Sequence, residues 1–420
     1  MVQLTEEERG LLRGDAGDGV AMAMRILVGT AEMLDAERLI PISSVHVDGC
    51  LYHGDSGTHF VERLVAAGGK VRVPTTLNVG ALDLVHAGRV KLDPHRHDMA
   101  RRMMMAYEQL GCRPSWTCAP YQAGHRPATG EDVAWGESNA IAFCNSVLGA
   151  RTDRYGDFLD ICAALTGRAP YTGFHKPENR LARIVIDAHN LPAPLTDEDS
   201  FYPVLGTWLG ATCGSEVAVI DGLPAPISED RLKAVGAAGA SAGSVGLFHI
   251  VGVTPEAPTL QAALGGRSPD QTIVLTAPML RGARDRLSTG IPVAGAPIDA
   301  VAIGSPHLSI DEFDRLSRLL AGRRVAVPFY ACTGRHAVEA LDRAGMRAGL
   351  DAAGIIVVAD TCVVVTPIMK EGGGLLMTNS GKFAHYAPAN VGYDVVYGSL
   401  ADCVESAIAG RIVRDESLWR

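Results

Sequence analysis

Five stretches of this chain put a cysteine or a small polar cluster where an apolar, β-branched run gives out. They are His46-Val47-Asp48-Gly49-Cys50, Thr117-Cys118-Ala119-Pro120-Tyr121, Gly304-Ser305-Pro306-His307, Tyr330-Ala331-Cys332-Thr333-Gly334 and Ala359-Asp360-Thr361-Cys362. In parallel α/β sheets ligands collect outside the carboxyl ends of strands, so such turns are the places to look for chemistry. Single thiolates delivered by separate loops suit an iron–sulfur cluster with one iron open to substrate. The paired C-x-x-C units of a zinc finger or ribbon are absent from the sequence. The competing explanation is that each thiol is a small packing group. Packing is the preferred reading for Cys144, Cys162 and Cys403, which fall in helical patterns, whereas Cys118 and Cys362 stay open between the two.

A second kind of chemistry is carried by Thr378-Asn379-Ser380-Gly381-Lys382. It lacks the upstream spacing of a phosphate loop, but a lysine with amide and hydroxyl donors on a glycine bend suits a substrate carboxylate or phosphate. An exposed lysine beside a turn is the plainer alternative. Gly136-Glu137-Ser138-Asn139 opens a helix, where unpaired N–H groups favour an anion or simply a cap. No His-Glu-x-x-His or Gly-x-Gly-x-x-Gly signature is present, and no Gly-x-Ser-x-Gly elbow, since Gly239-Ala240-Ser241-Ala242-Gly243 lies in the Ala/Gly-rich stretch 234–246 that reads as helix then turn. His95 and His97 read as a solvated first helical turn, and Met103-Met104-Met105 as core packing.

These turns must be held by elements, and the pattern supplies them. Thr5 with Glu8 forms a capping box, helices are expected over 17–34 and 94–110, and a strand over 39–47. From residue 183 strand patterns recur at 183–186, 216–220, 245–253, 272–275, 300–303, 325–328 and 354–359, with helical stretches between most of them. Such alternation predicts an α/β chain of several subdomains, mostly parallel sheets layered with helices. The Pro- and Asp-rich stretch after Asn190 predicts a boundary, with residues 1–190 as one α/β region with a helical start and 191–420 as another.

Composition limits the function classes. With 420 residues, 47 Gly, a formal net charge of −9 and short basic runs, nucleic acid is excluded as the main partner. No apolar run is long enough for a spanning helix, and the acidic start differs from a signal peptide, so a cytoplasmic protein with no membrane partner is expected. Nine cysteines, an odd number, argue against a disulfide framework there.

Taken together the turns resemble the large, catalytic portion of the aconitase X family. The resemblance runs through Ile42-Ser43-Ser44-Val45-His46, Asp48-Gly49-Cys50-Leu51-Tyr52-His53-Gly54, Val73-Pro74-Thr75-Thr76-Leu77-Asn78-Val79-Gly80 and Thr117-Cys118-Ala119-Pro120-Tyr121. It continues through Trp135-Gly136-Glu137-Ser138-Asn139-Ala140, Asn145-Ser146-Val147-Leu148-Gly149-Ala150-Arg151-Thr152, Gly304-Ser305-Pro306-His307, Asp360-Thr361-Cys362 and Asn379-Ser380-Gly381-Lys382. It implies an aconitase-like fold and an iron–sulfur hydro-lyase that dehydrates a β-hydroxy acid, either cis-3-hydroxy-L-proline or mevalonate 5-phosphate.

By that resemblance Cys118 and Cys362 are cluster ligands, and Asn78, Ser138, Asn139 and Lys382 line the substrate, with Gly49, Cys50 and Val79 in the same turns. The archaeal pattern has a cysteine where this chain has Ser305, which makes Cys50 the candidate third ligand. Lys382, Ser305 and His46 are the candidate catalytic residues. Ser305 and Leu51-Tyr52-His53-Gly54 look like the hydroxyproline branch, which implies Δ1-pyrroline-2-carboxylate as product and a [2Fe–2S] cluster, with [3Fe–4S] and [4Fe–4S] left open. The family's base is a serine on a small swivelling domain, which this chain is expected to lack, so a small swivel-domain subunit is the expected partner. A noncatalytic ligand-binding or scaffold subunit is the alternative from another class.

Overall fold

The computed structural model describes residues 2–290 and 293–419. It divides into two compact units: one runs to Leu82 and resumes over Leu92–Leu181, and the other takes Asp83–Lys91 and the chain from Ala182 onward. The short segment belongs to the second unit through its bonds: the Ala359 N–H donates to the Asp83 carboxylate at 3.2 Å and the Lys91 N–H to the Pro367 carbonyl at 2.7 Å.

The first unit opens with the predicted capping box, the Thr5 hydroxyl accepting from the Glu8 N–H and Glu8 reaching back to the Thr5 N–H. Its second helix, Asp18–Met33, buries Val20, Met24, Leu27 and Ala31. The strands are β1 (Leu39–Pro41), β2 (Val45–Val47), β3 (Thr75–Leu77), β4 (Ala134–Trp135) and β5 (Arg168–Pro170). The single strand expected over 39–47 is therefore two. Pro41 has no N–H to continue a ladder, β1 pairs antiparallel with β5, and β2 starts afresh between β3 and β4 in a parallel sheet of order β3-β2-β4. In helix Pro94–Gln109, Met103 and Met104 are core residues as expected, while Met105 faces solvent.

The second unit contains β6 (Ile184–Asp187), β7 (Ala218–Asp221), β8 (Phe248–Ile250), β9 (Gln271–Val274), β10 (Ala300–Ile303), β11 (Phe329–Thr333), β12 (Ile355–Ala359), β13 (Gly374–Thr378) and β14 (Tyr393–Tyr397). They form two wholly parallel sheets, β8-β7-β6-β9 and β12-β11-β10-β13-β14. In the larger sheet the chain steps outward from β10 through β11 to β12, then resumes on the other side of β10 with β13 and β14. Right-handed crossovers taken in two directions put the connecting helices on opposite faces, which is helix–sheet–helix layering. Its core joins Val301, Ile303, Phe329, Val357 and Met377 of the strands to Phe313, Leu316, Leu341 and Val404 of the helices.

Two expectations shift. The strand placed at 325–328 lies at β11, because Pro328 cannot donate and the apolar Phe329-Tyr330-Ala331-Cys332 run pairs on both sides. Cys332 is thus a strand residue, not a turn residue. Strands β13 and β14 escaped the sequence reading, since Gly372-Gly373-Gly374 signals loop rather than the start of a ladder. Among the described residues no helix is long and apolar enough to cross a membrane.

Candidate active site

In the first unit the three parallel strands release their turns at one edge: Asp48-Gly49-Cys50 after β2, Asn78-Val79 after β3 and Gly136-Glu137-Ser138-Asn139 after β4. The Thr117 N–H bonds the Leu77 carbonyl at 3.1 Å, which delivers Cys118 to the same edge. Asn139 Nδ2 donates to the Cys118 carbonyl at 3.0 Å and Asn78 Nδ2 to the Asp48 carboxylate. The opposite end of each amide is a different matter. Asn78 Oδ1 and Asn139 Oδ1 are buried with no hydrogen-bond partner among the described residues, an arrangement that is costly unless a ligand supplies the donor. Ser138 is half-buried at the start of the short helix Ser138–Phe143.

Carboxyls gather behind this edge. Asp160, which no motif marked, accepts from the Asp48 and Gly49 N–H groups at 2.6 and 3.1 Å. A Cβ on Gly136 would sit 2.8 Å from both the Asp160 carboxylate and Asp48 Cβ, so only glycine lets the strands' turns close up here. Burial lifts Asp160 to about 7 despite those donors. It lifts Asp48 to about 7 as well, helped by Glu137, Asp157 and Asp160 nearby and opposed by the Asn78 amide.

His46 lies one residue inside β2, wholly buried, with Nδ1 2.8 Å from Thr76 Oγ1; that hydroxyl is 2.6 Å from His125 Nδ1, and His125 Nε2 is 2.8 Å from Ser44 Oγ. Burial depresses both imidazoles, His125 to about 4. Cys50 is ringed by acceptors: its thiol faces the carbonyls of Val47, Asn78 and Val79 at 3.6, 3.4 and 3.9 Å. Burial and the Asp48 charge push it well up. Such a cage favours the protonated thiol and does not fit a thiolate ligand.

In the second unit the switch in strand order falls between β10 and β13, the position where open α/β sheets bind ligands. Ser305 follows β10 and Asn379-Ser380-Gly381-Lys382 follows β13, where Ser380 caps the helix Gly381–Val391. The two turns are tied by the Ser380 hydroxyl, which donates to the Ser305 carbonyl. A Cβ on Gly304, at φ 93°, would lie 2.2 Å from the Cys332 carbonyl, so the turn can reach the sheet only as glycine.

Beyond β12, Asp360 takes a left-handed φ of 63° and receives both arms of Arg335 at 3.0 and 2.7 Å, and the His307 ring meets the Thr361 carbonyl at 3.1 Å. These bonds hold Cys362 buried. Burial alone would raise its thiol, but donors from Cys332, the Val364 N–H and Ser305, with the Lys382 charge, bring it below the ordinary cysteine value. That donor set fits a metal-bound thiolate. Among the described residues no three His, Cys, Asp or Glu side chains are gathered as a metal site. Lys382 and Ser305 also line a cavity of about 80 Å³ within this unit.

The sequence reading thus named the turns but missed Asp160 and the hydrogen-bond donors around Cys362. Asp160 bonds a residue 112 positions away, and such pairings leave no local pattern.

Comparison with known proteins identifies the class. Family models of the aconitase X first, second and third domains match residues 1–178, 182–285 and 298–409. The chain belongs to the aconitase X family. It is 42% identical, over 98% of its length and 71% of the other's, to the cis-3-hydroxy-L-proline dehydratase of Pseudomonas aeruginosa. It is 36% identical, over 94% and 96%, to the phosphomevalonate dehydratase large subunit of Methanothermobacter thermautotrophicus. The crystal structure of Thermococcus kodakaraensis aconitase X in its holo-form superposes with a TM-score of 0.85 at 31% identity, covering 97% of this chain and all of that one. The enzyme class of the chain is hydro-lyase, that is, dehydratase.

Proposed function

We propose that this chain dehydrates cis-3-hydroxy-L-proline to Δ1-pyrroline-2-carboxylate with the help of an iron–sulfur cluster. The observation that carries the cluster is the donor set on Cys362, beside Lys382 and Ser305 at the strand-order switch. The substrate branch is supported by the greater identity to the hydroxyproline enzyme than to the phosphomevalonate one. Cys362 would hold iron, and Cys118 is the further ligand we retain from the family resemblance. Cys50, caged by carbonyls, we read as a thiol.

A bound cluster supplies Lewis acidity toward the departing hydroxyl. The chain's own residues bind and orient. Lys382 and the N–H groups opening helix Gly381–Val391 take the substrate carboxylate, where charge and helix dipole favour an anion. Holding that carboxylate stabilises the charge that develops as the Cα proton leaves, which lowers the barrier to its removal. The Ser305 hydroxyl donates to Cys362 and, with Cys332, the Val364 N–H and Lys382, favours its thiolate form against the burial that opposes it. Asn78 and Asn139 each offer a buried amide oxygen to a donor on a ligand.

The Cα–H and Cβ–O bonds break, a Cα=Cβ bond forms, water departs, and the resulting enamine tautomerises to the cyclic imine. The base we assign to a small partner subunit; the name of the large-subunit relative implies that such a subunit exists for that enzyme. Anaerobic purification with iron and sulfide analysis, followed by steady-state assay of both candidate substrates with the partner present, tests the reading. Turnover of the phosphate ester alone, or full hydroxyproline turnover without iron, would sink it.

A further inference from the structure

The cavity beside Lys382 has a second wall, formed by Asp199, the first turns of helix Glu229–Gly243 and helix Ile310–Leu320. It carries three bases and three acids, and each base is closed by an acid. Arg231 Nε donates to Asp199 Oδ1 at 2.7 Å. Arg315 donates to the other Asp199 oxygen and lies 3.4 Å from Asp230. Lys233, buried at 2% exposure, reaches Asp230 at 2.9 Å and Glu312 at 2.5 Å. The wall is therefore formally neutral, and its guanidinium groups already point their donors at carboxylates.

That neutrality discriminates between anions. A phosphate monoester brings about two negative charges and needs several donors that are not otherwise engaged, most often a guanidinium fork. A carboxylate–ammonium zwitterion brings no net charge and needs one cation for its carboxylate. We propose that Asp199, by holding Arg231 and Arg315 at once, denies this cavity a phosphate-binding pair of guanidinium groups and restricts it to substrates without phosphate. The inference rests on the reading above that this cavity takes the substrate. Asp199 is suited to the role because, among the described residues, it is the acid that joins both arginines, and its side chain, 47% exposed, can be replaced without opening a core.

The test compares inorganic phosphate and mevalonate 5-phosphate as ligands of the holoenzyme in wild type and Asp199→Asn, by calorimetry and as inhibitors of hydroxyproline turnover. The expected result is weak binding by wild type and about tenfold tighter phosphate binding by Asp199→Asn, the gain being lost again in Asp199→Asn/Arg315→Gln. Asp199→Ser, which likewise removes the acid shared by the two guanidinium groups and leaves Arg231 on the Asp197 carbonyl and Arg315 near Asp230, should show the same gain, and thermal melts report whether each variant folds. Equal phosphate affinity in wild type, Asp199→Asn and Asp199→Ser, with wild-type turnover of hydroxyproline intact, overturns this inference alone. Wild-type turnover of mevalonate 5-phosphate overturns both this inference and the proposed substrate.

Discussion

Cys362 and Cys50 are both buried thiols at the ends of strands, yet their neighbours give them opposite proton preferences: donors surround one and carbonyl acceptors the other. Burial is common to both, so the sign is decided by which end of each hydrogen bond faces the sulfur. Cys362→Ser and Cys118→Ser are expected to abolish the visible absorbance of anaerobically purified protein, while Cys50→Ala and Cys403→Ser keep it; loss in Cys50→Ala would restore Cys50 as a ligand. Lys382→Met should raise KM for the hydroxy acid about ten- to a hundredfold, as expected for a lost charge-assisted contact. An unchanged KM in steady-state assays would remove Lys382 from the carboxylate site. The residue types and their turns were legible along the chain, but the direction of the hydrogen bonds on each thiol was not, because Cys332, Ser305 and Lys382 reach Cys362 only through the sheet.

Elements position these residues by close backbone approach. Helices Phe201–Cys213 and Glu229–Gly243 pack through glycines: a Cβ on Gly243 would meet the Gly210 carbonyl at 1.7 Å, and one on Gly206 the Val235 carbonyl at 2.3 Å. The obstacle is backbone rather than a flexible side chain, so Gly243→Ala should destabilise by about 3 kcal/mol through forced separation of the helices. Urea unfolding checks this, and a loss below 1 kcal/mol would show that the pair relaxes cheaply. Because Glu229–Gly243 also carries Arg231 and Lys233, the same variant should disturb the wall that Asp199 closes. Helix periods and most β-branched runs announced these elements. The glycine run before β13 concealed a strand, since a ladder can be held by its neighbours on both sides even where local propensity is poor.

At the scale of the whole molecule, the buried ionisable groups of the first unit make stability depend on pH in two opposed ways. Asp48 and Asp160, raised to about 7, keep protons in the native state that the unfolded chain has shed above about pH 4, so their contribution is lost as pH rises toward and through 7. His46 and His125, depressed, stay neutral where the unfolded chain binds protons, so theirs is lost as pH falls below about 6.5. From about pH 6.5 to 7.5 the carboxyls outweigh the histidines, whose unfolded forms are losing their last protons, and the unfolding free energy should fall by on the order of 1 kcal/mol or somewhat less. Chemical denaturation at the two pH values measures it, with a smaller slope in Asp160→Asn; a rise with pH would contradict the assignment. Along the chain itself were written the α/β class, the run of parallel strands, the polar turns and the family they compose, because periodicity and turn chemistry are local properties of consecutive residues. Folding alone determined which thiol is drawn below its ordinary value, which carboxyls are raised to about 7, and that the arginines beside Lys382 are already engaged. Those outcomes depend on burial and on charges brought within a few ångströms from distant positions, and neither quantity exists until the chain is folded.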